Sequence, residues 1–170
     1  SPDQKAIKPA LHAIPAPAGA SWAVRAEHPA LGNYHLYGRQ SAEPLYTENE
    51  HNVQRLWGLT NATPYVKDSF HRRVVNGEHG AVNPAREGTK FAAWHVLTVA
   101  SGQQVEVELV LSAEPLAQPF AVTATVFTDR QSEADAFYRD LLPEASDEDR
   151  RILRQASAGM IWSKQFFHYD

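Results

Sequence analysis

Cysteine is absent from this 170-residue chain, which excludes disulfides, zinc–thiolate sites, iron–sulfur clusters and cysteine nucleophiles. No apolar run approaches the roughly 18 residues of a membrane-spanning helix, and no secretory signal pattern opens the chain. No basic segment is interleaved with aromatic residues, and the net charge is −4. We therefore expect a cytoplasmic protein without a nucleic-acid or membrane partner.

The usual catalytic signatures are also missing. The chain has no G-x-S-x-G elbow, no P-loop and no G-x-G-x-x-G turn. Its 8 histidines form no H-E-x-x-H motif and no pair four residues apart on a predicted helix. We expect neither a metal site nor a cofactor.

What is present is an ordinary globular composition, with 43% hydrophobic and 21% charged residues. The length fits one domain, or one domain and the start of another. The first residue is serine, which suggests processing or excision from a longer protein.

Period-2 patterns dominate the chain to about residue 128. The proline-rich opening predicts extended edge chain or a linker, and strands are expected near residues 22–26 and 34–37. Residues 90–99 are apolar on both faces, which is typical of a central strand. Residues 104–111 alternate behind a turn at Ser101 and Gly102, so the two segments predict an antiparallel hairpin. A further Val- and Thr-rich strand is predicted at residues 121–127.

Helical patterns follow. Ser132 with Asp135, and Ser146 with Asp149, have capping-box spacing. The sequence thus predicts a mainly β fold, an antiparallel β-sandwich followed by C-terminal helices. The predicted boundaries are a sandwich at residues 1–128, a linker helix at 129–145 and a last helix at 146–170.

The last predicted helix is unusually rich in large aromatic side chains, which lie on several sides of it: Trp162, Phe166, Phe167 and Tyr169. Each aromatic buries about 150–250 Å² when it is packed. One interpretation is that the helix docks on its own sandwich. The other, which we favour, is that it belongs to a helical domain whose remainder is missing.

Two polar groups in the irregular middle of the chain have a structural and a chemical interpretation. Glu48 and Glu50 would share one face of a strand, about 6–7 Å apart, a separation used by glycosidase carboxylates. A structural network completed by Asn49 and Asn52 is the favoured alternative. The charged cluster of residues 67–73 is read first as a solvated or interface loop, and second as a ligand contact.

Three sequence blocks, read together, resemble bacterial members of glycoside hydrolase family 63, the processing α-glucosidase-like group. The first is Tyr-Thr-Glu-Asn-Glu-His-Asn at 46–52 with Arg-Leu-Trp-Gly at 55–58. The second is Asn-Ala-Thr-Pro-Tyr-Val-Lys-Asp at 61–68 with Val-Asn-Pro-Ala-Arg-Glu-Gly-Thr-Lys at 82–90. The third and most specific is Ala-Gly-Met-Ile-Trp-Ser-Lys-Gln-Phe-Phe-His-Tyr-Asp at 158–170.

The resemblance implies an N-terminal β-sandwich, a helical linker and a catalytic α/α toroid, with inverting exo-hydrolysis of α-glucosidic bonds. In this scheme residues 146–170 would be the first helix of a truncated toroid. The family's catalytic acid and base lie downstream, so no residue here inherits either role. The implied partners are the missing toroid, as a domain or a separate chain, and an α-glucoside oligosaccharide. Candidate residues for the active-site rim or the domain interface are Lys67, Asp68, His71, Asn83, Arg86, Lys90, Trp162 and Tyr169.

Two rival functions stay open. A free-standing carbohydrate-binding sandwich predicts sugar affinity without another domain, on an aromatic platform. An isolated enzyme that uses Glu48 and Glu50 predicts activity on an aryl α-glucoside, lost in Glu48→Gln.

Overall fold

In the computed structural model, which describes residues 8–164, strands occupy the first part of the chain and long helices the last. The chain divides after Ala121 into two units, which we call the sheet unit (residues 8–121) and the helix unit (residues 122–164). The strands are Ala10–Ile14 (β1), Trp22–His28 (β2), Gly32–Gly38 (β3), Glu43–Thr47 (β4), Glu87–Gly88 (β5), Lys90–Trp94 (β6) and Leu109–Ser112 (β7). The helices are Val53–Trp57 (α1), Ser69–Val74 (α2), Thr123–Leu141 (α3) and Asp147–Ser163 (α4), and His79–Ala81 is a 3₁₀ turn.

The strands form two antiparallel sheets. The larger has the order β5-β1-β2-β3-β7, and the smaller pairs β4 with β6. In the larger sheet Leu11 pairs with Ala26 and Val24 pairs with Leu36, so alternate apolar residues align across neighbouring strands. The prediction of an antiparallel β fold followed by C-terminal helices is confirmed. The toroid to which those helices would lead stays a prediction.

The core lies on both faces of the larger sheet. On one face, Trp22 and Val24 of β2 pack with Tyr46 of β4, and Phe91 of β6 joins them. On the other face, Ala23 and Tyr37 pack under Phe120 and its neighbouring segment. Both faces of β2 are therefore buried, as its mixture of large and small apolar residues allows.

The hairpin predicted from residues 90–99 and 104–111 is wrong. β6 ends at Trp94 and pairs with β4, whereas β7 begins at Leu109 and pairs with β3. The turn itself exists, since Gln103 N donates to Ala100 O at 3.0 Å and Gly102 has φ 71°. A local turn signal does not specify the partners of its flanking strands, and here long-range pairing prevails.

The strand predicted at residues 121–127 is also wrong, because helix α3 begins at Thr123. The β-branched residues there carry only a weak preference for strand, and a helix nucleated by the following polar turns extends over them at little cost. The Thr128 hydroxyl donates to Ala124 O at 3.0 Å, one turn earlier, as serine and threonine in helices often do.

The helix unit is held together by caps and ion pairs. Ser146 is the N-cap of α4, its Oγ accepting from Asp149 N at 3.2 Å, so the helix start predicted at this position is confirmed. The Asp149 carboxylate accepts from the Ser146 hydroxyl at 2.7 Å. Arg154 of α4 forms an ion pair with Asp135 of α3 and lies over the Tyr138 ring at 5.6 Å. No helix within residues 8–164 is long and apolar enough to cross a membrane.

Candidate functional site

A groove of about 400 Å³ lies in the sheet unit beside β1 and the end of β4. We call it the acidic groove. It is lined by Lys8, His12, Glu48, Glu50, Glu87 and Thr89, among others. Three carboxylates thus share one depression with one lysine and one histidine.

The chain just beyond β4 places the first two carboxylates. Glu48 N donates to Tyr65 O at 2.7 Å, and Glu50 O accepts from Lys67 N at 3.1 Å. β4 ends at Thr47 and residues 49–50 form a bend, so the strand predicted to carry Glu48 and Glu50 on one face does not extend to them. Both carboxylates nevertheless line the groove, because these two backbone bonds hold the bend beside it.

The opposite wall depends on a close backbone approach at Gly88. A Cβ at this position would lie 2.4 Å from Thr47 O, a distance that no side chain tolerates. Asn83 holds the preceding loop, since its Nδ2 donates to Glu87 O at 2.8 Å and its Oδ1 accepts from Ala85 N at 3.0 Å. The glycine and the asparagine together bring Glu87 to the groove.

Hydrogen bonds give the two glutamates different surroundings. Glu48 accepts from the Thr89 hydroxyl at 2.9 Å, and Glu50 forms an ion pair with Lys8. The hydrogen bond from Lys8 lowers the pKa of the Glu50 carboxyl below its ordinary range and raises that of the Lys8 ammonium. Glu50 is therefore held ionised, which suits a hydrogen-bond acceptor and opposes the role of a proton-donating acid.

Histidine contributes one more polar contact at the rim. His12 Nδ1 lies 3.7 Å from Glu87 Oε2, and both side chains are about half exposed. The register of β1 against β5 places His12 opposite Glu87. Among the described residues, no cluster of three His, Asp or Glu side chains has the geometry to hold a metal ion.

The polar residues between the groove and helix α2 form a structural network. Asn52 caps α1, its Oδ1 accepting from Arg55 N at 3.0 Å and from Asn61 Nδ2 at 2.9 Å. Its Nδ2 donates to Asp68 Oδ2 at 3.1 Å. All the polar atoms of the Asn52 amide group are engaged within the chain, in agreement with the structural interpretation of this segment.

The predicted site residues are not all brought together. Asn83 lines the acidic groove, whereas Lys67 lies beside it, with Nζ 2.9 Å from His51 Nε2. Lys90 Nζ reaches Asn49 Oδ1 at 3.5 Å. These three residues surround one end of β4, and Asp68 is drawn into the Asn52 network.

The cluster at residues 67–73 separates into exposed and buried members. His71 is exposed on α2. Arg73 is buried, donates to both Glu43 oxygens at 2.8 and 2.5 Å, and lies over the Trp94 ring at 4.8 Å. Arg73 therefore ties α2 to the smaller sheet, and the ligand-contact interpretation does not extend to it.

Two predicted candidates belong to the C-terminal part. Trp162 on α4 is 88% exposed. Tyr169 lies outside the described residues, as do Phe166 and Phe167.

Arg86, the remaining predicted candidate, lies in a different pocket from the groove, next to Tyr46.

Lys8, His12, Glu87 and Thr89 were missed as groove residues. Lys8 and His12 belong to the proline-rich opening, which the sequence indicates only as extended chain. Their positions depend on the pairing of β1 with β5, across more than seventy residues of chain. The signal available was Gly88 between two polar residues, typical of a close backbone approach.

Comparisons with known proteins add one relative. No family model matches this chain, and no solved structure matches it. The chain is 36% identical over 138 residues to the uncharacterized protein YMR196W of Saccharomyces cerevisiae. The match covers 74% of this chain but 13% of the yeast protein, so the chain corresponds to a small part of its relative.

Proposed function

We propose that this chain serves as the non-catalytic N-terminal module of a family 63-like, inverting α-glucosidase. In this proposal its helices pack against a catalytic α/α toroid and its sheet unit braces that toroid. The three sequence blocks supply the resemblance to the family. The much greater length of the yeast relative is compatible with a further catalytic part.

The observation that carries the proposal is the absence of a core in the helix unit. Neither α3 nor α4 contains a buried residue over its 19 or 17 residues. Large apolar side chains are instead 48% to 88% exposed: Val126, Phe127, Phe137, Leu141, Ile152, Met160, Ile161 and Trp162. We call these residues the apolar helix surface.

An exposed surface of this kind indicates a partner. Single exposed apolar residues are common in proteins, but eight on two helices are typical of an interface or of an unfinished core. A toroid built from paired helices offers apolar helix faces as partners. The occupant in this proposal is therefore a helical catalytic body.

The acidic groove gives the module a second role in the proposal. Its carboxylates and the Thr89 hydroxyl are groups that hydrogen-bond to sugar hydroxyls. Asn83, Lys67 and Lys90 lie in or around it and are the first candidates for an active-site rim. Glu50, held ionised by Lys8, would accept hydrogen bonds there without transferring a proton.

The test has two arms. The purified chain is titrated calorimetrically with gluco-oligosaccharides and assayed on an aryl α-glucoside. We expect neither heat nor cleavage. Sugar binding by the chain alone would support a free-standing carbohydrate-binding sandwich, and cleavage lost in Glu48→Gln would support an isolated enzyme. Either result overturns the proposal.

The second arm uses the full-length yeast relative with α-glucosides of several linkages. Proton NMR is used to record the anomer of the first glucose released. The proposal expects β-glucose, the product of inversion. Release of α-glucose, or no cleavage of any linkage, would contradict the assignment to an inverting α-glucosidase.

A further inference from the structure

A second pocket of the sheet unit, distinct from the acidic groove, lies where the end of β1, the start of β2 and β4 meet. Its volume is about 400 Å³. We call it the Tyr46 pocket, and its lining includes Ile14, Ser21, Trp22, Ala42, Tyr46 and Arg86. Most of its lining residues have apolar side chains, but polar atoms form the larger part of its accessible wall.

The first unusual group is the Tyr46 hydroxyl. Tyr46 is 1% exposed, and its hydroxyl has no hydrogen-bond partner in the described chain. Buried tyrosines normally satisfy this group, as Tyr37 does by accepting from Leu116 N at 2.9 Å. A buried hydroxyl without a partner is unfavourable, so it marks a position where a ligand atom would complete the site.

Burial also fixes the protonation state of this hydroxyl. Desolvation raises the pKa of Tyr46 to about 12, against the opposing effect of the Arg86 charge. At neutral pH the phenol therefore keeps its proton and acts as a donor. Arg86 and Tyr46 both line this pocket.

The second unusual group is Arg86 itself. Its backbone φ is positive, at 57°, and among the described residues every other positive φ belongs to a glycine. Its backbone is held there by two hydrogen bonds, from Ala13 N to Arg86 O at 3.0 Å and from Arg86 N to Asn83 O at 3.2 Å. A residue other than glycine with its backbone in the left-handed region is uncommon, and such local backbone strain is often found at ligand sites.

The charge of Arg86 is not compensated locally. Within residues 8–164, no carboxylate forms a salt bridge with Arg86, and the residues that line the pocket include no Asp or Glu. The pocket thus presents two side-chain hydrogen-bond donors, the buried Tyr46 hydroxyl and the positively charged, solvent-exposed Arg86.

We propose that the Tyr46 pocket binds a small oxyanion, a carboxylate or phosphate group, with Arg86 as its ion-pair partner and Tyr46 as its hydrogen-bond donor. The chemistry follows from the two groups. An arginine fork matches the paired oxygens of such an anion, and a neutral phenol supplies a further donor. The proposal does not depend on the glucosidase assignment.

The experiment is calorimetric titration of the full chain with sodium phosphate and, separately, sodium acetate, at constant ionic strength. We expect saturable binding of at least one anion with a millimolar or lower dissociation constant. The anion that binds more tightly shows whether the pocket prefers a phosphate or a carboxylate group. Arg86→Asn removes the cation and keeps a residue that tolerates the left-handed region. We expect it to weaken binding at least tenfold.

Three further variants separate binding from folding. Tyr46→Phe removes a hydroxyl without a partner, so we expect a several-fold loss of anion affinity and no loss of thermal stability. Tyr37→Phe is the matched control, expected to lose stability and keep affinity. Arg130→Gln removes one positive charge from the helix unit and should leave binding unchanged.

The proposal fails if neither anion binds, or if Arg86→Asn binds as well as the parent chain. It also fails if Tyr46→Phe loses as much stability as Tyr37→Phe, because the Tyr46 hydroxyl would then have a partner within the fold.

Discussion

The sheet unit and the helix unit obtain their stability in different ways. In the sheet unit, residues distant in sequence bury one another, and Leu45, Tyr46 and Tyr37 are only 1% to 2% exposed. In the helix unit, α3 and α4 bury no residue, and their contacts are caps and ion pairs. Both units are regular in backbone, yet only the sheet unit has a hydrophobic core.

The difference shows that regular secondary structure is a poor measure of completeness. Most helical stability in proteins comes from packing of an apolar face, since isolated helices of this length are marginal in water. Caps and ion pairs between exposed side chains each add about 1 kcal/mol or less. Neither α3 nor α4 obtains such packing within residues 122–164, whereas the strands of the sheet unit do.

Truncating one leucine in each unit gives the largest expected contrast. Leu45 is 1% exposed in β4, whereas Leu141 in α3 is 51% exposed. We expect Leu45→Ala to reduce the free energy of unfolding by about 2–5 kcal/mol, from lost burial and a residual cavity. Leu141→Ala should cost less than about 1 kcal/mol. Urea unfolding, followed by tryptophan fluorescence and far-ultraviolet circular dichroism, measures both.

A Trp162→Phe background sharpens this measurement. Of the 4 tryptophans, Trp22, Trp57 and Trp94 then remain, all in the sheet unit, so fluorescence reports that unit alone. Equal losses for the two leucine variants would show that the helix unit has a core comparable to that of the sheet unit, contrary to our comparison.

Glycine-to-alanine substitutions are expected to have opposite signs in the two units. At Gly88 a Cβ would lie 2.4 Å from Thr47 O, so the backbone must move, at a cost of about 1–3 kcal/mol. At Gly159, inside α4, a Cβ meets nothing within 4 Å. Gly159→Ala should add about 1 kcal/mol of helix stability through propensity alone. Helix content and the urea midpoint are the measurements.

A stabilising Gly88→Ala would contradict the close approach of β5 to β4, and with it the geometry of the acidic groove. A destabilising Gly159→Ala would mean that this face of α4 is already packed closely against another surface. The second result would be expected only when the proposed catalytic body is present.

The sequence predicts local features better than pairings. The β2 and β3 strands and the Ser146 cap were predicted, because period-2 alternation and capping are encoded within a few residues. The 90–111 hairpin failed, because β6 and β7 each find a partner strand elsewhere in the chain. The strand predicted at residues 121–127 failed because helix propagation overrides the weak strand preference of residues 123–127.

The same distinction holds for the candidate site. The sequence indicated that Glu48 and Glu50 lie together, and both line the groove, but a bend after β4 places them there and not a strand face. The contribution of Lys8 and His12 requires the pairing of β1 with β5, which no local pattern encodes. Arg86 was recognised as a candidate, but its pocket with Tyr46 depends on the meeting of β1, β2 and β4 in space.

The smallest expected contrast concerns acid titration of one ion pair in each unit. Lys8 lowers the pKa of Glu50 below its ordinary value of 4.5, so this pair stabilises the folded chain above that pH. The contribution is lost as the pH falls from about 4.5 through the lowered pKa, where Glu50 becomes protonated. Because the Glu50 side chain is 43% exposed, solvent screening limits the effect to about 0.5 kcal/mol.

Glu50→Gln should therefore lower the sheet-unit unfolding free energy at pH 7 and have almost no effect at pH 3, by urea unfolding in the Trp162→Phe background. Glu148→Gln is the matched control, since Glu148 pairs with Arg151 within one turn of α4 and both side chains are about 60% exposed. We expect it to leave sheet-unit unfolding unchanged at both pH values. An equal effect of Glu148→Gln would mean that the two units unfold together, and that the sheet unit does not owe its stability to its own core alone.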